Sequence, residues 1–107
     1  ILSIRLKGMS YYRNVCFTAF EAPTVLNRLS EIQYLIYQTE RCPSTNKLHW
    51  QGYVEFKSRK SMKQVKEIFA DNTLHIEVRR GSQKQAIDYC RKTDTQVEPP
   101  VIFGTPS

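Results

Sequence analysis

Cysteine is scarce in this chain of 107 residues: Cys16, Cys42 and Cys90 are an odd number, widely spaced, with no Cys-x-x-Cys. Neither a disulfide framework nor a zinc ribbon is indicated, and a reducing compartment is expected. Glycine occurs four times and never as Gly-x-x-x-x-Gly-Lys-Ser/Thr, so no nucleotide-binding P-loop lies within these residues. No apolar run approaches the roughly 20 residues of a membrane-spanning helix, no signal peptide is visible, and no repeat or low-complexity segment occurs. A soluble protein is expected, with no membrane partner.

What is present suits one small domain, with 40% hydrophobic residues and no composition typical of disorder. Sixteen Lys and Arg against ten Asp and Glu give 16 − 10 = +6, a balance that favours a polyanionic partner. The excess falls in two blocks, Lys57, Arg59, Lys60, Lys63 and Lys66, then Arg79, Arg80, Lys84, Arg91 and Lys92. Each block also reads as a solvated helix face or charged turn. Residues 1–8 read either as an upstream extension before a start at Met9 or as native sequence. The Pro-rich tail from Val97 reads as a domain edge, with residues 105–107 beyond a domain of 9–104.

Val15 to Phe20 predicts a buried strand, and Pro23-Thr24 a helix entry, with Val25, Leu29 and Ile32 as the apolar stripe. Tyr34 to Glu40 predicts a second strand, and residues 41–47 its turn. From Leu48 to Phe56, Leu48, Trp50, Val54 and Phe56 alternate with His49, Gln51, Tyr53 and Glu55, and the first set is expected to face the core. Ser61 with Gln64, and Ser82 with Gln85, have the form of capping boxes opening two further helices. Leu74, Ile76 and Val78 alternate as a strand between them. The order implies an α+β domain, an antiparallel β-sheet with helices packed on one face and the other open for function.

His49 and Gln51, two apart on one strand, project from one face, and Glu40 at the end of the preceding strand returns beside them through the hairpin. Imidazole, amide oxygen and carboxylate make an oxygen-rich site suited to a divalent metal, Mn²⁺ or Mg²⁺ rather than Zn²⁺. Equally, His-x-Gln on an exposed strand is often just two polar residues, and a helical Tyr is more often packing than chemistry. Tyr89 is the candidate nucleophile. A phenol has a reference pKa of about 10 and needs a nearby cation to react at neutral pH; Lys92, one helical turn on, is expected to supply it.

The ordered set Cys16-Phe17-Thr18-Ala19-Phe20, His49-Trp50-Gln51-Gly52-Tyr53 and Tyr89-Cys90-Arg91-Lys92 resembles the three motifs of the HUH endonuclease domain of replication-associated (Rep) proteins from circular single-stranded DNA viruses. The resemblance covers about residues 12 to 104. Gln51 stands where the eponymous pattern has a second His, a form similar to the circovirus-like branch, as is His75-Ile76-Glu77; Glu40 sits where that family places its acidic ligand. Trp50 is bulkier than the Leu often found between the ligands.

The resemblance implies a ferredoxin/RRM-like HUH fold and a metal-dependent, sequence-guided endonuclease and strand-joining enzyme acting on the single-stranded DNA of an origin hairpin. Tyr89 would form a 5′-phosphotyrosine and release a 3′-OH that primes rolling-circle replication, with joining by reversal and no ATP. It further implies a helicase domain beyond Ser107, oligomerisation through regions outside this chain, and the host nucleus as location.

Arg13, Lys57, Arg79 and Lys84 flank the motifs and are candidate DNA phosphate contacts, with Tyr11, Tyr12 or Tyr53 as stacking platforms. A non-catalytic RRM-like module stays open, because Gly52-Tyr53-Val54-Glu55-Phe56 partly echoes the aromatic strand of that fold. A plasmid initiator or transposase of the same fold is the other alternative.

Overall fold

Alternating apolar and polar residues build the first strand, β1 (Tyr12–Ala19), in the computed structural model, which describes residues 10–107. The extension read over residues 1–8, and Met9, lie outside the described residues. Val15, Phe17 and Ala19 bury on one face of β1, while Cys16 and Thr18 point to the other. The strand stops at Ala19, so Phe20, expected inside it, is 62% exposed.

The expected first α-helix is only a 3-10 helix, Leu26–Glu31. Its apolar stripe is correct, since Val25 and Ile32 are buried and Leu29 packs against the core. Its N-cap is Val25, which cannot supply a capping oxygen, and Ile32 is already extended (φ −106°, ψ 126°), so too few residues remain for regular turns. Strand β2 (Ile32–Arg41) follows at once, and the hairpin over 42–47 returns the chain as β3 (Leu48–Lys60).

Both capping boxes form as the sequence predicts. Ser61 and Gln64 open α1 (Met62–Ile68), and Ser82 and Gln85 open α2 (Gln83–Tyr89), each serine accepting from the N3 amide and each glutamine from the cap amide. Strand β4 (His75–Val78) lies between the helices. A strand not foreseen, β5 (Val101–Gly104), pairs with Tyr34–Tyr37 of β2, so the tail read as an edge continues the sheet.

The sheet order is β4-β1-β3-β2-β5, with all paired neighbours antiparallel. β1 and β2 both run against β3 and are joined across it, which is the split βαβ arrangement of ferredoxin-like folds with β5 added at one edge. The α+β class is as expected, but the helices do not share a face. Phe17, Leu35, Val54 and Phe56 bury with Val65 and Ile68 of α1 on one side. Tyr34, Ile36 and Tyr53 bury under Ala86 of α2 and Cys90 on the other. Each fully buried Phe or Ile contributes about 1.5–3 kcal/mol.

This second layer corrects the reading of β3. Tyr53 and Glu55, expected on an open face, are buried beneath α2, and Leu48, expected in the core, is 41% exposed at the strand's start. Gly52 sits where the Phe17 ring crosses β3: a Cβ there would stand 2.1 Å from Phe17 Cζ. Phe17 in turn packs on Phe69, with ring centroids 4.7 Å apart.

Candidate active site

The β2–β3 register sets Glu40 directly opposite His49. Their side chains meet on the α2 side of the sheet, His49 Nε2 lying 3.1 Å from Glu40 Oε1. Glu40 is 1% exposed, and a carboxylate so deep needs charge or hydrogen-bond partners. It has three: His49, the Gln38 amide, which donates to Oε2 at 2.9 Å, and Lys92 Nζ, 3.5 Å from Oε1.

Lys92 was expected within the helix of Tyr89, but α2 ends at Tyr89, its last turn closed by the Cys90 N–H donating to the Ala86 and Ile87 carbonyls. Lys92 lies past this end and reaches back, its ammonium 4.0 Å from the Tyr89 ring centroid. Burial alone would lower its pKa. A hydrogen bond with Tyr89 and the charge of Glu40 outweigh burial, so the ammonium is held above its ordinary value. Tyr89, Lys92, Glu40 and His49 thus form one continuous chain of contacts. Tyr89 itself is 52% exposed.

Gln51 shares the face of His49 but leans the other way. Its amide donates to the Phe17 carbonyl at 3.2 Å, and its oxygen accepts from the Thr18 hydroxyl at 3.1 Å. It lines a cleft of about 430 Å³ with Thr18, His75, Glu77, Gln85 and Tyr89. Two of the three expected ligands therefore converge, while the third faces the nucleophile across the cleft. Among the described residues no three His, Cys, Asp or Glu side chains group closely enough to hold a metal. A buried carboxylate against an imidazole, already drawing an ammonium to itself, has the chemistry of a cation site. A carboxylate and an imidazole, with the Gln51 amide oxygen as a third donor, would suit Mg²⁺ or Mn²⁺.

The candidate DNA contacts separate. Arg13 donates to the Lys57 carbonyl at 3.2 Å and lines a second cleft with Tyr11, Tyr12, Arg59 and Arg79. Arg79 is turned inward, its guanidinium 2.8 Å from the Tyr53 hydroxyl and 4.0 Å from Glu55. Lys84 stands apart on the exposed side of α2, paired with Asp88 at 2.6 Å. Tyr53 is 0% exposed and cannot stack on a base. Its hydroxyl donates instead to the buried Glu55, which Gln83 and Ser107 also hold.

Gln38 and Gln96 were not singled out in the sequence. Gln38 precedes Glu40 by two, so extending the strand alternation one step back from the expected ligand would have found it. Nothing local marks Gln96, which reaches the site because residues 95–97 run beside the end of β2 through the Arg41 N–H to Thr95 and Val97 N–H to Thr39 hydrogen bonds.

Comparison with known proteins gives the family. The family model for viral replication proteins (Viral_Rep) matches residues 12–93, the span holding β1 through Lys92. The master replication protein of banana bunchy top virus is 43% identical over 89 residues, covering 83% of this chain and 30% of that protein. The master replication protein of subterranean clover stunt virus is 42% identical over the same length and shares. A Para-Rep of the milk vetch dwarf C1 alphasatellite is 35% identical over 92 residues, 83% of this chain and 31% of its own. The chain spans about 30% of the length of the first two relatives. With most of its residues, including those of the Tyr89–Glu40 site, inside the matched span, the chain belongs to the viral replication protein family.

Proposed function

We propose that this domain initiates rolling-circle replication of a circular single-stranded viral DNA, as an HUH-type endonuclease that cuts and rejoins one strand through Tyr89. The observation that carries the reading is the unbroken contact from Tyr89 through Lys92 to the buried Glu40 and His49, beside a cleft open to substrate. The master replication proteins it resembles support the same role. The RRM-like alternative loses its support in the fold, since Tyr53 and Phe56 of the echoed strand are both buried.

In the reaction, the Tyr89 oxygen attacks the scissile phosphorus, the bond to the 3′-oxygen breaks, and the phenolic proton ends, in net balance, on that 3′-oxygen. Lys92, already against Tyr89, stabilises the phenolate as it develops and the phosphate it meets. Glu40 and His49, with Gln51, would hold Mn²⁺ or Mg²⁺, which supplies charge withdrawal at the phosphate. The cleft that Thr18 lines opposite Tyr89 is where the strand would lie. The retained phosphodiester to Tyr89 conserves the energy for joining when a 3′-OH attacks it. Arg13 and Lys57 are proposed phosphate contacts; the inward Arg79 and the Asp88-paired Lys84 are weaker candidates. The circovirus-like branch rests on the His-x-Gln form and on His75-Ile76-Glu77, and the host nucleus and a helicase domain beyond Ser107 on the resemblance.

The test is intact-mass measurement after incubation with single-stranded origin-loop oligonucleotides and Mn²⁺, with and without EDTA. A metal-dependent adduct mapping to Tyr89, lost in Tyr89→Phe while DNA binding persists, is the expected result. Cleavage by the Tyr89→Phe protein would remove Tyr89 from its role.

A further inference from the structure

A polar side chain outside the motifs ties the two halves of the site together. Gln38 is 1% exposed on β2, yet every polar atom of its amide is satisfied. Its nitrogen donates to Glu40 Oε2 at 2.9 Å and to the main-chain carbonyl of Lys92 at 2.8 Å; its oxygen accepts from Gln96 Nε2 at 2.9 Å. The orientation of the amide follows from its neighbours, two acceptors on one side and a donor on the other. Only a side-chain amide offers two donors and an acceptor on one planar group, and the reach required here is that of Gln. A Glu would place a second carboxyl against Glu40, and a Met would take one hydrogen bond each from the buried Glu40 carboxylate, the half-buried Lys92 carbonyl and the half-buried Gln96 amide.

The first of these bonds holds one oxygen of Glu40 and leaves the other facing His49 and Lys92. The second fixes the chain just past α2, three residues beyond Tyr89, and does so through main chain whatever side chain stands at 92. We infer that Gln38 is the positioning residue of this site: it presents Glu40 Oε1 for cation binding and locks the end of the Tyr89 helix at a set distance from that carboxylate. The inference rests on the proposed nicking activity for its kinetic part and on the Glu40–His49 geometry alone for its binding part.

The experiment compares wild type, Gln38→Met and Gln96→Met, with Glu40→Gln as reference. Mn²⁺ binding is measured without DNA by the paramagnetic resonance of free Mn²⁺, adduct formation in single turnover at saturating Mn²⁺, and fold by thermal melting. Outer partners of metal ligands change affinity about 10–100-fold. Gln38→Met is expected to weaken Mn²⁺ about tenfold or more, and to slow adduct formation even when Mn²⁺ saturates. Oligonucleotide affinity in EDTA is expected to stay the same, a separation that mere loss of stability would not produce. Gln96→Met, which strips only the bond to the Gln38 oxygen, gives the smaller change in the same direction, and decides the matter if Gln38→Met does not fold.

A folded Gln38→Met protein with wild-type Mn²⁺ affinity and rate overturns the inference, as does a wild type that binds no Mn²⁺ sensitive to Glu40→Gln. If Mn²⁺ binds in wild type and weakens in Gln38→Met but no adduct forms on any oligonucleotide, the positioning of Glu40 stands and the nicking function fails.

Discussion

Replacing Gly52 by alanine tests whether the packing of the first strand sets the position of the ligand strand. The new methyl would lie 2.1, 2.4 and 2.6 Å from three carbons of the Phe17 ring. That ring is fully buried and backed by Phe69, so it cannot swing away without opening the core. Overpacking of this kind costs about 1–3 kcal/mol, offset by about 0.4–1 kcal/mol from the stiffer unfolded chain, leaving a net loss of roughly 1–2 kcal/mol. For a domain of this size that is a fall of roughly 5–15 °C in Tm, read by calorimetry or circular dichroism. Gln51 adjoins Gly52 and bonds to the Phe17 carbonyl, so the Mn²⁺ requirement for adduct formation should rise along with the fall in Tm. Adding Phe17→Leu makes room, and the double variant should lose less than the sum of the single losses, by about 0.5 kcal/mol or more. An unchanged Tm in Gly52→Ala, or strict additivity in the double variant, refutes the argument.

Glu55 gives a pH test. Burial would raise its carboxyl, but the Ser107 amide, the Tyr53 hydroxyl and the Gln83 amide outweigh it and hold the group below its ordinary value. A depressed folded value contributes stability above the unfolded value of about 4.3 that is lost as pH falls toward the folded one. Glu55→Gln should therefore be less stable at pH 7 with a shallower acid limb, and superimposable acid limbs in urea titrations would exclude the assignment. Thiol alkylation at pH 7 separates the cysteines: hydrogen bonds from Ser44 and Thr45 draw Cys42 down to about 6, whereas burial pushes Cys90 up to about 12. Peptide mapping should find Cys42 labelled first and Cys90 last, and early labelling of Cys90 would contradict its buried place at the end of α2.

The parts of this fold legible in the sequence were those with local causes. Each capping box lies within four residues, and the Glu40–His49 encounter follows from a short hairpin joining two alternating strands. What escaped had distant causes. Nothing in β3 announces that α2, some thirty residues later, covers Tyr53 and Glu55; a buried Glu55 makes sense only once Gln83 and Ser107 are seen to hold it. Lys92 was rightly joined to Tyr89, but through the wrong geometry, because the helix ends earlier than the spacing implied and the lysine folds back. β5 was hidden by its neighbouring prolines, and the 3-10 segment because an apolar stripe at helical spacing needs only two turns.

The register of β2 on β3 stores the position of Glu40 opposite His49 as a matter of odd and even. A strand that gains or loses one residue between its pairing bulge and Glu40 turns the carboxylate through the sheet to the side of Phe17 and Phe56. The hairpin over residues 42–47 carries none of the cleft residues beside Tyr89 and is free of that constraint. Length variation among working descendants of this sequence should thus collect in the loop, while the strands on either side keep their parity.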